Sequence, residues 1–429
     1  MIDEIEAIKR NNTWYLTEFP VNKHQISVKW VFKVKLDSNG SIAKHKAWLV
    51  AKGFLQKAGM DYQEVYAPVA RIETIRLVVA IASVKKWSLT QMDINSAFLN
   101  GPLDEEVYVS QPPGFIREGK EGTMYRLNKA LYGLKQAPRA WNKKIDGFLT
   151  QVGFKKSVVE HGVYVKHNLD STKILIICLY VDDLLVTGND HSDITAYKRN
   201  IIASKEVYEG LRYLCNSRPD LAFAVGAVSR FVNTPKKCHM AAVKRIMRYV
   251  QGTMDYGILL PNNISNVVNK LEGFSDSDWC GDHVDRRSTT GYIFKFLNAP
   301  ISWCSKKQPV VALSSCEAEY IAYAFAACQG IWLESLLKDI KIELTEPIQL
   351  LVNNKSAINL ARNPITHGRS KHIETRFHFI RDQVSKRKIV LSHCPTEEQE
   401  ADILTKGLKH DRFIGLRNKN GVKSLEYLN

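Results

Sequence analysis

The chain has 429 residues, 45% of them apolar and 24% charged. That is enough for two or three ordinary domains with real cores, and it excludes a disordered tail or a disulfide-stapled miniprotein. With 60 Lys and Arg against 44 Asp and Glu, the formal charge is +16, an excess that favours a polyanionic partner such as nucleic acid.

Eight cysteines are scattered without a C-x-x-C pair, so neither a zinc site nor a disulfide framework is indicated, and reduced thiols are expected. The first residues, Met1-Ile2-Asp3-Glu4-Ile5-Glu6, are acidic where a signal peptide would be basic. The apolar run at residues 174–181 is too short to span a bilayer. An intracellular protein, cytoplasmic or nuclear and without a membrane partner, is expected.

In chain order, Ile2, Ile5 and Ile8 predict a short helix within residues 1–24, closed by a turn through Pro20. Lys29-Trp30-Val31-Phe32-Lys33-Val34-Lys35 alternates basic and apolar residues, the period of a half-buried strand. Asp37-Ser38-Asn39-Gly40 is a turn signal, and residues 44–52 return as a second strand. This cation-rich hairpin is either a solvated face or a polyanion contact. Residues 73–86 have helical spacing, residues 87–94 read as a strand carrying Asp93 near its end, and residues 131–153 suggest another helix.

Residues 174–181 and 184–187 are apolar strands flanking Asp182-Asp183. Two carboxylates at the tip of a hairpin with buried arms require a compensating cation. The apolar pattern weakens from 190 to about 205. Residues 208–258 then look helical, with Lys236, Lys237, Lys244, Arg245 and Arg248 forming a basic stretch that is a solvated face or a nucleic-acid contact.

From residue 271 the pattern predicts strands at 271–274, 292–297 and 301–305, a long helix at 316–338 and a strand at 348–352. Helices at 356–362 and 370–386, a strand at 389–393 and a helix at 400–408 follow. That is a mixed α/β domain of ordinary size. Ser314-x-x-Glu317 ahead of the long helix has capping-box spacing.

The combination of motifs is specific. Gln91-Met92-Asp93-Ile94-Asn95-Ser96-Ala97-Phe98-Leu99-Asn100-Gly101, Leu131-Tyr132-Gly133-Leu134-Lys135-Gln136-Ala137-Pro138-Arg139-Ala140-Trp141 and Tyr180-Val181-Asp182-Asp183 closely resemble the reverse transcriptase of copia-type LTR retrotransposons. Residues 29–33, 49–54 and 67–71 resemble the fingers of that family. Gly273-Phe274-Ser275-Asp276-Ser277-Asp278-Trp279, Ser314-Ser315-Cys316-Glu317-Ala318-Glu319-Tyr320 and Glu400-Ala401-Asp402-Ile403-Leu404-Thr405-Lys406 resemble the ribonuclease H that follows it.

The resemblance implies an α/β (α+β) architecture: right-hand polymerase fingers and palm, then a ribonuclease H-like domain with a mixed five-stranded sheet. Asp93, Asp182 and Asp183 would be the catalytic, metal-binding triad of the polymerase, holding two Mg²⁺ ions, with Mn²⁺ as a substitute. Phe98 matches the aromatic gate that crowds a ribose 2′-hydroxyl; the alternative is an ordinary core Phe. Gln136 and Arg139 would contact incoming nucleotide and template, and Lys44 and Lys46 the triphosphate. Asp276, Glu319 and Asp402 would be catalytic and metal-binding in the ribonuclease H, again with two ions. His372 is structural or nucleic-acid contacting. The implied partners are an RNA template, a DNA primer, an RNA–DNA hybrid and deoxynucleoside triphosphates.

Three departures count against full activity. The strand-end Asp-Asn pair of the family is Asn353-Asn354 here, so the fourth acid is missing. The family's Lys-Ala-Arg-Leu-Val is Lys46-Ala47-Trp48-Leu49-Val50, and an indole cannot replace a guanidinium on a triphosphate. Between Asn189 and Tyr208 only a short link stands where the family has the end of the palm, the primer grip and most of the thumb. This gap is either an internal deletion or a piece lost from the gene model.

The organisation expected is fingers and palm at 1–190, a truncated helical connection at 191–270, a ribonuclease H-like domain at 271–410 and a C-terminal tail at 411–429. Functionally, the expectation is a fragment of a Pol polyprotein, by descent an RNA-directed DNA polymerase with ribonuclease H, and an impaired, degenerate copy. The alternative is a non-catalytic nucleic-acid-binding remnant.

Overall fold

The structure is a computed structural model that describes residues 1–20, 23–36, 42–94, 97–168, 173–189, 211, 213–231, 236–261, 268–362, 379–424 and 426. The stretch from Asn189 to Tyr208 lies almost wholly outside these residues, and so does His372.

The isoleucine triplet near the start forms the helix Ile2–Arg10, which buries Ile5 and Ile8. Rather than an uninterrupted approach to Pro20, the strand Trp14–Glu18 follows. It is one edge of a four-stranded sheet completed by Thr123–Lys129, Pro102–Val109 and Gln25–Ile26. The cation-rich hairpin forms as expected, Val28–Leu36 against Ile42–Ala51, but among the described residues it pairs only with itself. Phe32 and Val34 are therefore 68% and 45% exposed. The alternation is correct for a strand, yet the outer part of its apolar face stays exposed.

The first large sheet has the order Ser88–Asp93, Asp183–Gly188, Ile174–Tyr180, Val163–His167, Lys155–Lys156. The run from 174 to 180 is continuously apolar, and from Leu175 to Leu179 both faces are buried. Ile176 and Cys178 face the same core as Leu77, Val78 and Ile81 of the helix Ile72–Val84. Leu175, Ile177 and Leu179 face the core with Trp141, Ile145 and Leu149 of the helix Ala137–Gln151. That helix starts later than residue 131, because Leu131-Tyr132-Gly133 is held in turns.

The second large sheet has the order Ala299–Lys307, Thr289–Phe296, Leu271–Ser277, Ile348–Val352, Ile389–His393. The first two pairings are antiparallel and the last two parallel. The long helix Ser315–Asp339 packs across this sheet. Its Ser314 side chain accepts from Glu317 N at 3.1 Å. Glu317 reaches back to Leu313 N at 2.7 Å rather than to Ser314 N, so the cap is satisfied one residue earlier than in the simple box. Five strands in this mixed order, carrying a long crossover helix, form the ribonuclease H-like fold expected.

Between the sheets, the described part of 208–258 is less uniformly helical than expected. Helices Ala222–Ser229 and Lys237–Gln251 are flanked by a 3₁₀ turn at Pro219–Leu221 and the strand Tyr256–Ile258. Near the end, 400–408 is a five-residue 3₁₀ helix, Glu400–Leu404, instead of a longer α-helix. The chain from 411 to 424 is built into the fold: His410–Lys419 is a helix, and Val422–Ser424 pairs with Tyr256–Ile258.

The two large sheets share one core. The helix Ile72–Val84 lies against the edge strand Ala299–Lys307, and a single apolar cluster runs from Leu77 and Ile176 to Phe294 and Tyr323. At this junction Arg76 stacks on Trp303 at 3.5 Å and donates to Asn216 O and Ile301 O at 2.8 and 3.2 Å. Among the described residues no helix is long and apolar enough to cross a membrane.

Candidate active site

Asp93 ends one strand, and Asp183 begins the strand beside it. In the antiparallel register their Cα atoms are direct partners, with Met92 opposite Leu184 behind them. Asp182 is at the hairpin turn, and its carbonyl accepts from Ile94 N at 3.0 Å. The backbone therefore brings the three sequence-predicted acids to one end of one sheet. Asp182 and Asp183 are half-buried, and Asp183 Oδ1 accepts from Gln91 Nε2 at 3.3 Å.

The turn is held from two sides. Trp141 Nε1 donates to Val181 O at 2.8 Å. Val181 itself has φ +58°, a left-handed conformation that a β-branched residue adopts only under constraint. On the far arm, Leu179 N donates to Gly162 O and Leu179 O accepts from Ala70 N, at 2.7 and 3.0 Å.

Phe98 is half-buried, packed with both Leu99 and Ile145 neighbourhoods, and its ring centroid is 5.1 Å from that of Tyr132. Gln136 is almost fully buried: it donates to Asp61 O at 2.8 Å and accepts from Gln56 Nε2 at 2.9 Å. Arg139 is paired with Glu64 at 2.6 Å and donates to Tyr66 O at 3.2 Å. Lys46 lies over the Trp48 ring at 5.1 Å. As these side chains stand, Gln136, Arg139 and Lys46 make contacts within the protein.

The second acid set is more deeply placed. Asp276 comes from the central strand, Glu319 from the long helix and Asp402 from the 3₁₀ helix, with exposures of 0, 6 and 1%. Thr405 Oγ1 donates to Asp276 Oδ2. Asn353, at the end of the neighbouring parallel strand, donates from Nδ2 to Asp276 Oδ1 at 2.9 Å. The Lys406 ammonium is 3.3 Å from Asp276 Oδ2 and 2.8 Å from Asp402 Oδ1. Arg412 pairs with the other Asp402 oxygen.

Burial pushes the Glu319 carboxyl well above the usual carboxylate range, and Asp276 adds to this while Lys406 opposes it. Burial, reinforced by the Asp276 charge, pushes Asp402 up to about 6. Burial alone would lower Lys406, but Asp276 and Asp402 outweigh it and hold the ammonium above the lysine range.

The donor chemistry suits a hard divalent cation: oxygen atoms only, several acidic, nearly dry. Glu319 Oε2 and Asn353 Oδ1 are buried without a hydrogen-bond partner, which leaves acceptors for an ion. As the side chains stand, however, no three His, Cys, Asp or Glu groups among the described residues form a ready metal cage. In this pocket the cation between the carboxylates is Lys406.

Sequence reasoning placed both acid sets but gave no role to Trp141, Thr405, Lys406 or Arg412. The first three are inside the motifs quoted, where their identities were visible but not their partners. Arg412 had no local signal, because it meets Asp402 only after the last helix folds back.

A family model described as reverse transcriptase (RNA-dependent DNA polymerase) matches residues 11–261. The chain is 36% identical over 494 residues to the retrovirus-related Pol polyprotein from transposon RE1 of Arabidopsis thaliana, covering 98% of this chain and 33% of that protein. Against the corresponding polyprotein from transposon TNT 1-94 of Nicotiana tabacum it is 34% identical over 504 residues, covering 99% and 38%. Both alignments are longer than the chain's 429 residues, so they open gaps in it. The chain spans about a third of the length of these relatives. Among solved structures, a foamy viral protease-reverse transcriptase in complex with RNA/DNA hybrid superimposes with a TM-score of 0.48 at 11% identity, over 91% of this chain and 52% of that one.

Proposed function

The chain belongs to the reverse transcriptase family of copia-type Pol polyproteins, and from that premise we propose that it is a polymerase and ribonuclease H module with both activities impaired. The observation that carries the polymerase half is the register that sets Asp183 opposite Asp93 with Asp182 at the adjoining turn. In this reading residues 1–190 are fingers and palm, 191–270 a shortened connection, 271–410 the ribonuclease H-like part and 411–429 its closing segment.

Asp93, Asp182 and Asp183 would hold Mg²⁺, or Mn²⁺ in its place; when bound, the ions activate the primer hydroxyl and neutralise the triphosphate. The chain's own residues set the geometry. Trp141 fixes the turn that presents Asp182 and Asp183, and Gln91 orients Asp183. Phe98 would limit the space beside the sugar. Gln136 would act by bracing the strand-turn at Gln56 against the start of the helix that carries Trp141, and Lys46 would supply a cation to the triphosphate. In the second pocket, Asp276, Glu319 and Asp402 would hold divalent metal for cleaving the RNA strand of a hybrid.

Impairment is supported by chemistry at three places. Asn353 brings a carbonyl without a charge to a pocket that must balance dications. Trp48 leaves a neutral indole where a guanidinium would grip phosphate. On the motif spacing the chain is short between Asn189 and Tyr208, and a shortening there would lose the segment that holds the primer end, where positioning supplies a large part of such catalysis.

Binding of nucleic acid without chemistry is favoured by one further observation. Lys236, Lys237, Lys244, Arg245 and Arg248 are all exposed on or beside the helix Lys237–Gln251, which gives phosphates a row of cations.

The test is Mg²⁺-dependent extension of a DNA primer on an RNA template by purified protein, with Asp182→Asn/Asp183→Asn as control. The expected result is salt-sensitive binding of an RNA–DNA hybrid and extension no greater than the control. Extension that the control loses would show an intact polymerase and overturn the impaired reading.

A further inference from the structure

The acid pocket of the ribonuclease H-like part already contains a cation. Lys406 Nζ bridges Asp402 and Asp276, which come from elements far apart in the chain. Arg412 neutralises the second oxygen of Asp402. On the opposite side of Asp276, Asn353 supplies an amide donor, a contact that a carboxylate at 353 would not make. Three carboxylates thus share their pocket with one ammonium and one guanidinium.

Two dications held a few ångström apart repel strongly unless carboxylates surround them. With Asn353 neutral and Lys406 in place, a second dication would enter a pocket whose negative charge is already spoken for. One dication is different. Glu319 is nine-tenths buried, and its Oε2 has no partner; the Asn353 Oδ1 is likewise buried and open. Those two oxygens, beside Asp276, are acceptors that the protein itself leaves unused.

We propose that Lys406 is a built-in counter-cation that takes the place of one of the two divalent ions, so that this pocket binds a single Mg²⁺ or Mn²⁺. The inference rests on reading Asp276, Glu319 and Asp402 as a metal pocket. It does not require that the pocket still cleave RNA.

The test counts ions on the full chain carrying Asp182→Asn and Asp183→Asn, so that the hairpin acids contribute none. Mn²⁺ is titrated by calorimetry and by the paramagnetic signal of the free ion. One Mn²⁺ per chain is expected, and it is lost in Asp276→Asn. Lys406→Met should tighten that ion by about tenfold. Asn353→Asp alone should still bind one, because the ammonium keeps its place, whereas Lys406→Met with Asn353→Asp should bind two. Two ions in the parent, an ion that survives Asp276→Asn, or affinity and count unmoved by Lys406→Met would each overturn the proposal.

Because Lys406→Met leaves carboxylates unbalanced and could unfold, a second measurement keeps the lysine. Acylation of Lys406 by an amine-reactive reagent, read by mass spectrometry, should change on adding Mn²⁺ as the ion loosens the bridge to Asp276. A rate identical with and without Mn²⁺ overturns the proposal. Failure of primer extension or hybrid cleavage bears only on the proposed function, since neither readout here depends on turnover.

Discussion

Trp141 Nε1 donates a hydrogen bond to Val181 O at 2.8 Å, so the helix Ala137–Gln151 holds the one residue whose backbone is strained beside Asp182. The tryptophan is 4% exposed. Its indole spans the distance between the helix and the hairpin tip.

That contact makes two substitutions informative. Trp141→Phe keeps most of the buried ring and deletes the donor, leaving the Val181 carbonyl unpaired; a loss of about 1–3 kcal/mol is expected in denaturant unfolding. Val181→Asn replaces a β-branched residue by one that tolerates positive φ, so a gain of roughly 1 kcal/mol is expected. A destabilised Val181→Asn would mean that the turn does not hold the left-handed conformation in solution.

Gly133 is at φ +88°, and a Cβ there would stand 2.2 Å from Ala51 O. The close approach exists because Ala51 N donates to Tyr132 O at 2.7 Å, docking the basic hairpin onto the turn that precedes Gln136. Gly133→Ala should therefore cost more than 3 kcal/mol, from backbone clash and positive φ together. Gly147→Ala, at a helical glycine whose Cβ would meet nothing within 4 Å, should be neutral or slightly stabilising. Comparison of the two thermal midpoints is the check.

Much of this arrangement was legible in the sequence. Residues 174–181 read as an apolar strand and Asp182-Asp183 as the turn between it and the next one, but joining that pair to Asp93 as one acid set came from the resemblance of the motifs around them. The second set was legible through the motifs around Asp276, Glu319 and Asp402. What could not be read depends on distance along the chain. Period-2 alternation predicted the strand around Phe32 but not whether another layer would cover it. Residues 422–424 show no strand signal of their own and pair only because Tyr256–Ile258 is beside them. The roles of Lys406 and Arg412 needed the pocket, since a basic residue near an acid in sequence reads as a solvated pair.

Arg218 and Asp220, two residues apart, form a buried pair that is structural in this molecule. Arg218 pairs with Asp220 at 2.8 Å and also donates to Thr253 O and Thr253 Oγ1, both at 2.9 Å, while Tyr249 OH donates to Asp220 at 2.7 Å. Every partner is largely buried, so deleting the guanidinium strands a carboxylate in the interior. Arg218→Ala is expected to cost about 3–5 kcal/mol. Arg218→Lys should recover only part, because one ammonium cannot make the forked set of contacts. Equal stability of the lysine variant and the parent in urea would show that charge alone suffices.

The pH dependence of stability gives the sign of the second acid pocket. Burial first, then the Asp276 charge, raises Asp402 from the ordinary carboxylate value to about 6. An acid with a raised folded-state value binds more protons folded than unfolded between about 4 and 6, so its contribution to stability falls as pH rises through that window. Glu319, raised by its burial and by Asp276, acts in the same direction. Asp282 acts oppositely: the Lys307 ammonium that pairs with it holds its carboxyl far below the usual range, and that contribution grows as pH rises toward the unfolded-state value near 4. The clean measurement is therefore a difference, Asp402→Asn minus parent, in metal-free buffer. The variant should gain stability relative to the parent as pH increases from 4 to 7, and excess Mn²⁺ should shrink that gain, because a dication stabilises the ionised Asp402 that the variant lacks. A difference that stays flat with pH would mean that Lys406 and Arg412 already neutralise Asp402 completely.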